Sequence, residues 1–269
     1  MVKHDNLTVV AIYGHNDGRS AIPALVKSVQ ELPGSKGLLI SPRRPKGLPK
    51  HIRHKTCQKM GYQQYSLFVM YCLHTYIKTS HCLIVQDDGW VLNGQNFKPE
   101  YYDYDYIGAP CHTAYENNRL YFHYSWLPLE NPRVVQNGGF SLRSRRFLRC
   151  LAKRGLMYLF FNAEPMCNED VQLTTFLRPK LEKMGMKFAP LELAREFSME
   201  YAGPGVHDNL DFSKLLGHHG PSRRLMDNNH IKVTKPLSEV STYYREIDFL
   251  NWLQDNGYTV EYFEPCNPS

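Results

Sequence analysis

The first part of the chain, up to residue 90, alternates short apolar runs with segments of helical spacing. Strands are predicted at residues 7–17, 37–41 and 81–90, and helices at residues 20–32 and 63–79. The order strand–helix–strand–helix–strand is typical of a parallel sheet that helices cover on both faces. The sequence therefore predicts an α/β fold with a central, mostly parallel sheet flanked by helices.

The rest of the chain has a less regular pattern. A strand entering a turn, a strand around a Gly-Gly break and two helices are expected at residues 102–110, 134–144, 145–155 and 168–185 respectively. The sequence has no internal repeat and no stretch with the composition of a flexible linker. Residues 1–269 are therefore expected to form a single domain, with a boundary between two halves near residue 112.

The composition argues against several classes of protein. The chain is 42% hydrophobic and 22% charged, which is enough apolar material for a sizeable core. No apolar run approaches the roughly 18–20 residues of a membrane span, and Met1–Asp5 is too polar for a signal peptide. The seven cysteines are scattered and show no C-x-x-C spacing, which favours reduced thiols and a cytoplasmic location over a zinc ribbon or a disulfide framework.

The net charge of +6 is concentrated in two basic clusters, at residues 41–55 and 141–154. Such clusters attract phosphate on a nucleotide, on a nucleic acid or on an anionic membrane. Peripheral contact with the inner face of a membrane is one interpretation, and a nucleic-acid-binding module is another. A solvated positive face explains either cluster equally well.

Paired acids follow the third predicted strand. In the segment HCLIVQDDGW, the apolar run ends at Asp87 and Asp88. Ligands of parallel sheets bind beyond the carboxyl ends of the strands, so the strand delivers both acids to such a site. Adjacent carboxylates repel each other, and Mg²⁺ or Mn²⁺ would supply the missing counter-charge. The alternative is an exposed turn with two solvated acids.

The usual fingerprints of several enzyme classes are absent from the sequence. It contains no G-x-x-x-x-G-K-[ST], no G-x-G-x-x-G after the first strand, no H-E-x-x-H and no G-x-S-x-G. These absences argue against P-loop enzymes, dinucleotide dehydrogenases, zincins and α/β-hydrolases. The remaining class is a metal-using, nucleotide-binding α/β protein.

Five short motifs then occur in a fixed order over roughly residues 60–220. They are QDD (86–88), NGGFSLRS (137–144), NEDVQL (168–173), FSMEY (197–201) and LLGHHG (215–220). Together they resemble the GT-A type of glycosyltransferase, and in particular a mostly microbial and fungal glycosyltransferase-like family. Taken singly, NED is more typical of a helix cap, NGG of a turn and HH of a core or surface pair.

The resemblance implies both a fold and an activity. The fold would be a GT-A-like Rossmann-type sandwich, in which residues 1–112 bind the nucleotide sugar and residues 113–269 bind the acceptor and carry catalysis. The activity would move a hexose from a nucleoside-diphosphate sugar, by default linked to UDP, to a glycan or lipid-linked acceptor. A non-catalytic sugar-binding relative of the same fold is the other possibility.

The resemblance also implies a cation site. Asp88 would bind Mn²⁺ or Mg²⁺ directly, and Asp87 would contact the ribose or the waters of the metal. His219 would complete the coordination, with His218 as the alternative. Many relatives have an acid-x-acid motif, whereas Gln86 occupies the first position here.

The resemblance places the donor sugar over Gly138 and Gly139. Arg143, or a cation of residues 43–55, would add positive charge near the departing β-phosphate. Asp170 would remove the proton of the acceptor hydroxyl as general base, with Glu169 as the second candidate, and direct displacement would invert the anomeric configuration.

Aromatic and polar residues complete the predicted site. Tyr13 is expected to stack on the nucleotide base, and Asp17 to bind near it. The faces of aromatic rings suit the apolar faces of sugars, so Trp90 and Trp126 are predicted to contact the acceptor. The alternative for either indole is an ordinary place in the core.

Overall fold

The computed structural model describes residues 3–159, 166–227 and 229–263. The strands are β1 (Leu7–Ile12), β2 (Lys36–Ser41), β3 (Arg53–Thr56), β4 (His81–Ile84), β5 (Gly89–Val91), β6 (Tyr106–Glu116), β7 (Arg119–Tyr121), β8 (Arg133–Ser144), β9 (Ser198–Met199), β10 (Gly217–His219), β11 (Arg223–Asp227), β12 (His230–Pro236) and β13 (Thr259–Phe263). The α-helices are α1 (Ile22–Glu31), α2 (Tyr62–Tyr71), α3 (Arg145–Lys153), α4 (Glu169–Val171), α5 (Arg178–Lys183), α6 (Leu191–Phe197), α7 (Leu237–Val240) and α8 (Glu246–Asp255).

Within the described residues, seven strands form the main sheet in the order β3-β2-β1-β4-β8-β6-β7. The first four run parallel to one another. The pairs β4–β8, β8–β6 and β6–β7 are antiparallel. The α/β prediction is confirmed at this level, but the sheet is mixed, because its parallel part ends at β4.

Helices cover both faces of this sheet. Leu7 and Val9 of β1 belong to a core that includes α1 and α6, whereas Val10 and Ile12 belong to a core that includes α2 and α3. Successive side chains of a strand point to opposite faces, so a strand that is apolar throughout must be covered twice. The predicted two-sided coverage is therefore confirmed.

Two smaller sheets extend the main one. Strands β5, β10 and β9 form the first, and β11, β12 and β13 form the second. The C-terminal part is joined to the end of β4 by backbone hydrogen bonds, in which Gly220 N–H donates to Asp88 O (2.8 Å) and Leu225 N–H donates to Asp87 O (3.1 Å). The last third of the chain is thereby held against the acidic pair.

Several predicted elements have different bounds. β3 lies inside the basic segment that we expected to be a loop, and the helix predicted at 63–79 ends at Tyr71 and is followed by a single 3₁₀ turn. The helix predicted at 168–185 is divided into α4, a π-helical turn (Gln172–Phe176) and α5. Residue 112 lies inside β6, so this strand crosses the boundary that was expected between the two halves.

Two further findings concern the whole chain. Across the described ranges, none of the helices combines the length and apolar character that crossing a bilayer requires. The six described cysteines are free thiols, and Cys266 lies outside the described residues.

Candidate functional site

The acidic pair occupies a tight turn between β4 and β5. Gln86 N–H donates to Gly89 O (3.2 Å) and Gly89 N–H donates to Gln86 O (3.1 Å), so Asp87 and Asp88 are the two residues between them. A Cβ on Gly89 would lie 2.8 Å from the backbone oxygen of His218. The glycine therefore lets β10 approach the turn closely.

The protein itself supplies counter-charge to both acids. The Nη1 atom of Arg224 lies 3.2 Å from Asp88 Oδ2, and its Nε atom lies 3.5 Å from Asp87 Oδ1. The Nε2 atom of His219 lies 3.2 Å from Asp88 Oδ1. This corrects one step of the sequence argument, because the pair does not need a divalent cation for charge balance.

The Asp88–His219 pair is strongly polarised. Burial acts to raise the pKa of Asp88, but His219 and Arg224 outweigh it and lower that pKa to about 2. Burial acts to lower the pKa of His219, but the carboxylates of Asp88 and Glu200 outweigh it and raise that pKa to about 10. Near neutral pH the two side chains are therefore a carboxylate and an imidazolium.

The two adjacent histidines have different surroundings. His219 faces the acidic turn, whereas His218 lies on the other face of β10, with its ring 4.0 Å from that of Trp90 and 5.5 Å from that of Phe249. Burial lowers the pKa of His218 well below its usual value. The structure thus brings His219, and not His218, to Asp88.

A cavity of about 580 Å³ opens beside the acidic turn. The hydroxyl of Tyr13 lines it and accepts a hydrogen bond from Asp87 N–H (3.1 Å). The other lining residues are Ile12, Gly14, His15, Asn16, Ser20, Met60, Gly61, Tyr62, Tyr65, Gln86, Asp87, Asp88 and Arg224. We call this space the donor cavity, after the ligand that the resemblance implies for it.

Two predicted contributors lie outside the donor cavity. The carboxylate of Asp17 accepts a hydrogen bond from the backbone N–H of Arg19 (3.1 Å) and is not part of the lining. Residues 43–55 do not line it either. In the described structure, neither Asp17 nor the cations of this segment belong to the walls of the donor cavity.

A bulge in β8 forms a second part of the site. Between the pairs Gly108↔Ser141 and Pro110↔Gln136, β8 contains three more residues than β6. The bulge contains Gly138 and Gly139. Its turn is held by Asn137, whose Oδ1 accepts hydrogen bonds from Gly139 N–H (2.6 Å) and Phe140 N–H (3.4 Å).

Both glycines leave room for functional side chains. A Cβ on Gly138 would lie 2.3 Å from Glu169 Oε1, and a Cβ on Gly139 would lie 2.3 Å from His219 Nε2. Any other residue at either position would displace the side chain opposite. The Gly-Gly pair is thus the only residue combination that permits this approach without a shift.

A smaller cavity of about 250 Å³ lies over the bulge. It shares Tyr62, Tyr65 and Gln86 with the donor cavity, so the two spaces adjoin. Its other lining residues are Ser66, Asn137, Gly138, Gly139, Asn168, Glu169, Asp170, Glu200, His219 and Pro221. We call this space the catalytic cavity, after the role that the resemblance implies for Asp170.

Asp170 is a half-buried residue that lines the catalytic cavity. Its Oδ2 accepts a hydrogen bond from Gly138 N–H (3.0 Å), and its Oδ1 accepts one from Val171 N–H (2.8 Å). Burial, and then the neighbouring Glu169 carboxylate, raise the pKa of Asp170 to about 7. A carboxyl group in this state can accept a proton near neutral pH.

Glu169 and Arg143 form an ion pair with each other. The Nη2 atom of the fully buried Arg143 lies 2.6 Å from Glu169 Oε1, and its Nε atom donates to Ser141 Oγ (3.0 Å). This corrects the prediction that Arg143 binds the donor, because a side chain without exposed surface cannot contact it. Glu169 is engaged by Arg143, which leaves Asp170 as the candidate base.

Trp90 and Trp126 lie in the core. Trp90 has no exposed surface and donates through Nε1 to Tyr258 Oη (3.2 Å). Trp126 is 2% exposed and packs with Ala114 and Val206. This corrects the prediction of acceptor contact, since neither indole face is accessible to a sugar.

The sequence argument did not select four residues of the site, namely Tyr65, Gln86, Glu200 and Arg224. Gln86 Nε2 donates to Tyr65 Oη (3.2 Å), which directs Gln86 Oε1 to His219 Nε2 (3.2 Å). Glu200 Oε1 lies 3.7 Å from His219 Nδ1. Glu200 belongs to the FSMEY motif, which was a usable signal, whereas Tyr65 and Arg224 lie in segments without one.

The acidic turn offers a partial set of ligands for a cation. Asp88 Oδ1 is buried and is the atom that pairs with His219 Nε2. Asp88 Oδ1 and Gln86 Oε1 are each 3.2 Å from His219 Nε2, close to the spacing of about 3 Å expected for neighbouring ligands of an octahedral ion. His219 would have to lose its proton to bind a metal.

The described side chains do not form a ready-made metal site. Over the ranges that the structure describes, no group of three or more His, Cys, Asp and Glu residues could hold a metal ion. Any cation here would therefore depend on Asp88, His219, the Gln86 amide and oxygens of a bound ligand.

Comparison with protein families identifies the family of this chain. The family described as "Protein of unknown function (DUF5672)" matches residues 55–219, which is more than half of the chain. No curated protein matches the sequence. The matched range contains the acidic turn, the Gly-Gly bulge, Asp170 and His219.

Proposed function

We propose that this chain, which belongs to the DUF5672 family, is a GT-A-type glycosyltransferase. It would move a hexose from a nucleoside-diphosphate sugar, by default a UDP-sugar, to a hydroxyl group of a glycan or lipid-linked acceptor. One observation carries the proposal: distant segments of the chain line two adjoining cavities that join an acidic turn, a glycine bulge and an unpaired carboxyl group.

The donor cavity supports a nucleotide. Its volume of about 580 Å³ lies within the range of about 300–1,000 Å³ that is typical of small-molecule sites. It lies beyond the carboxyl ends of β1 and β4, which are neighbouring parallel strands. Arg224 offers a cation that can approach the diphosphate. Tyr13 lines the cavity but is 9% exposed and packs in the core, which leaves little of its ring for the predicted stacking on the base.

The catalytic cavity supports the transfer step. The oxygen of the acceptor hydroxyl would attack the anomeric carbon as the bond from that carbon to the diphosphate oxygen breaks. Asp170 would take the hydroxyl proton, and the nucleoside diphosphate would leave with the electron pair. Because the base and the leaving group lie on opposite sides of the anomeric carbon in such a displacement, the configuration would be inverted.

The glycine bulge would support the sugar between the two cavities. Without side chains at Gly138 and Gly139, a ring can lie directly on the backbone. Arg143 would act without touching the sugar. It pairs with Glu169, while the carboxylate of Asp170 accepts the hydrogen bond of Gly138 N–H. We assign Arg143 a positioning role.

We further propose that Asp88 and His219, with the Gln86 amide, hold Mn²⁺ or Mg²⁺ during turnover. When bound, such an ion supplies positive charge to the β-phosphate as negative charge develops on it. We also propose a cytoplasmic location, where thiols stay reduced.

The first experiment measures nucleotide release from a panel of nucleotide sugars, with and without Mn²⁺. We expect one donor to be hydrolysed slowly without acceptor, and faster with the metal. Asp88→Ala should abolish metal-dependent stabilisation by UDP in a thermal-shift measurement. The matched control is Asp103→Ala, which removes an exposed carboxylate outside both cavities.

The outcomes separate the parts of the proposal. Release from no donor, together with no thermal shift by any nucleoside diphosphate, would refute the glycosyltransferase. UDP binding that is equal with and without Mn²⁺ would refute only the metal, and would assign its role to Arg224 and the His219 imidazolium.

A further inference from the structure

A long stretch of the chain contains no acidic residue. Between Glu31 and Asp87 there are 55 consecutive residues without aspartate or glutamate. The same stretch contains nine basic residues, namely Lys36, Arg43, Arg44, Lys46, Lys50, Arg53, Lys55, Lys59 and Lys78. All nine are exposed, and none of them forms an ion pair with a described residue. This surface therefore presents unbalanced positive charge.

Seven of the nine basic residues lie within residues 43–59, a segment that includes the edge strand of the main sheet. β3 is the edge strand, and Arg53 and Lys55 pair with Leu38 and Ile40 of β2. Leu38 and Ile40 belong to the core beneath α2, so Arg53 and Lys55 lie on the face of the sheet that α2 covers. Charged side chains on an edge strand protect it from aggregation, but only two of the nine basic residues lie on β3. This role does not account for the other seven, and we take their unbalanced charge to indicate a ligand.

An apolar groove lies on the same face. It encloses about 630 Å³ between the segment that follows β3 and the outer side of α2. Leu67, Phe68, Tyr71 and Tyr76 line it and are partly exposed, and Lys59 stands in its wall. The groove thus combines apolar contact area with a cationic border.

We propose that this surface docks on an anionic lipid bilayer, with the groove taking an acyl chain and the basic edge contacting the headgroups. Phosphate alone would need the cations but not the groove. A nucleic acid would also leave the aliphatic part of the groove unused, so the lipid surface fits both features. Met60 lines both the groove and the donor cavity, so a lipid-bound protein would hold its site near the membrane.

The test is co-sedimentation of the full chain with vesicles. Binding is expected with phosphatidylcholine vesicles that contain about a third phosphatidylserine, and not with phosphatidylcholine alone. Each basic residue near an anionic surface contributes about 1 kcal/mol, so Arg53→Gln with Lys55→Gln should weaken binding about 30-fold. The matched control is Arg119→Gln with Lys214→Gln, which removes equal charge from exposed positions elsewhere, one of them on the opposite sheet edge.

A fluorescent reporter tests the groove separately. Cys72 is exposed and lines the groove, so Cys72→Trp should give blue-shifted emission when anionic vesicles are added. Thr242→Trp, at an exposed position outside the groove, should not shift. Thermal denaturation without ligand verifies that each variant is folded.

Four results would overturn the proposal. The first is equal binding to neutral and anionic vesicles, and the second is equal loss in the control pair. The third is an unshifted Cys72→Trp spectrum, and the fourth is binding to a duplex oligonucleotide without binding to vesicles. None of these measurements involves a nucleotide sugar, so this inference can fail while the glycosyltransferase proposal stands.

Discussion

Asp170 and Glu169 are neighbours in sequence, yet their carboxylates have different partners. Glu169 is bound by the buried guanidinium of Arg143 at 2.6 Å. Among the described residues, Asp170 has no such cation, and its hydrogen bonds come from the backbone N–H groups of Gly138 and Val171. Two chemically similar groups therefore divide into a structural anion and a candidate base, because their partners differ.

The first prediction concerns Asp170→Asn. If Asp170 is the general base, kcat should fall by about 10²-fold or more, while the dissociation constant of the donor stays unchanged. In the parent, burial and Glu169 raise the pKa of Asp170 to about 7. The base must be unprotonated, so kcat should rise with pH up to about 7 and then level off.

Stability provides the control for this variant. The folded state holds the Asp170 proton more tightly than the unfolded chain, so this residue makes stability fall as pH rises from about 4 to about 7. Asp170→Asn removes that loss and should be at least as stable as the parent at neutral pH. Full activity in a folded Asp170→Asn variant would exclude Asp170 as the base.

At the scale of elements, the bulge in β8 and the strand β10 act together. The bulge brings Gly139 against the His219 imidazole, and β10 directs that imidazole to Asp88. The chain needs a glycine here because a Cβ would occupy the space of Nε2. The register shift between β6 and β8 is therefore part of the candidate site.

The second prediction is a double-mutant cycle. Gly139→Ala should push the imidazole away from Asp88 and weaken metal-dependent UDP binding by about 10–100-fold, as loss of a supporting contact does at metal sites. His219→Ala should have a similar effect. In the His219→Ala background, Gly139→Ala should cost almost nothing more, because the contact it disrupts is already gone.

Calorimetric titration of the four proteins with UDP and Mn²⁺ would measure the cycle. Additive losses would contradict the proposed contact, and would mean that Gly139→Ala acts through the backbone of the bulge. Thermal denaturation of Gly139→Ala should show no more than the cost of about 1–3 kcal/mol that is common for overpacking.

At the scale of the whole molecule, one buried ion pair joins the C-terminal helix to the site. Arg223 and Glu246 have no exposed side-chain surface and bind each other. Arg223 Nη2 also donates to the backbone oxygen of Glu200 (3.0 Å) and makes a longer contact with that of His219 (3.4 Å). Helix α8 is thereby coupled to the strands that carry the candidate site.

The third prediction concerns this pair. Glu246→Leu leaves the Arg223 charge buried without a partner, and should lower the free energy of unfolding by about 3–5 kcal/mol in a urea titration. Arg223→Met with Glu246→Leu should restore part of the loss. Glu261→Gln is the control, because Glu261 pairs with Lys232 where both side chains are 46% exposed, and should cost about 0.2–1 kcal/mol. Equal losses for Glu246→Leu and Glu261→Gln would contradict the reasoning.

The alternation of elements in the first part of the chain was predictable, but their ends were not, since the helix predicted to reach residue 79 ends at Tyr71 and the strand predicted at 7–17 ends at Ile12. Apolar periodicity depends only on residues that are close together in the chain. A strand that is apolar throughout, such as β1, can therefore be recognised from sequence as one that is covered on both faces. β3 was missed because its residues, RHKT, are polar and exposed at an edge, where no apolar pattern is required. The split of the helix at 168–185 was missed because its π-helical turn leaves no pattern in the sequence.

By itself, the sequence determined the α/β class and placed two carboxylates at the end of a buried strand, since both follow from residues close together in the chain. Only the tertiary structure decided that Asp88 faces His219 and Arg224, that Arg143 is buried beneath Glu169, and that both predicted tryptophans are core residues. Gln86 and His219 are 133 positions apart and meet only after β5 and β10 pair. Partners, burial and pKa depend on such long-range contacts, which no local pattern encodes.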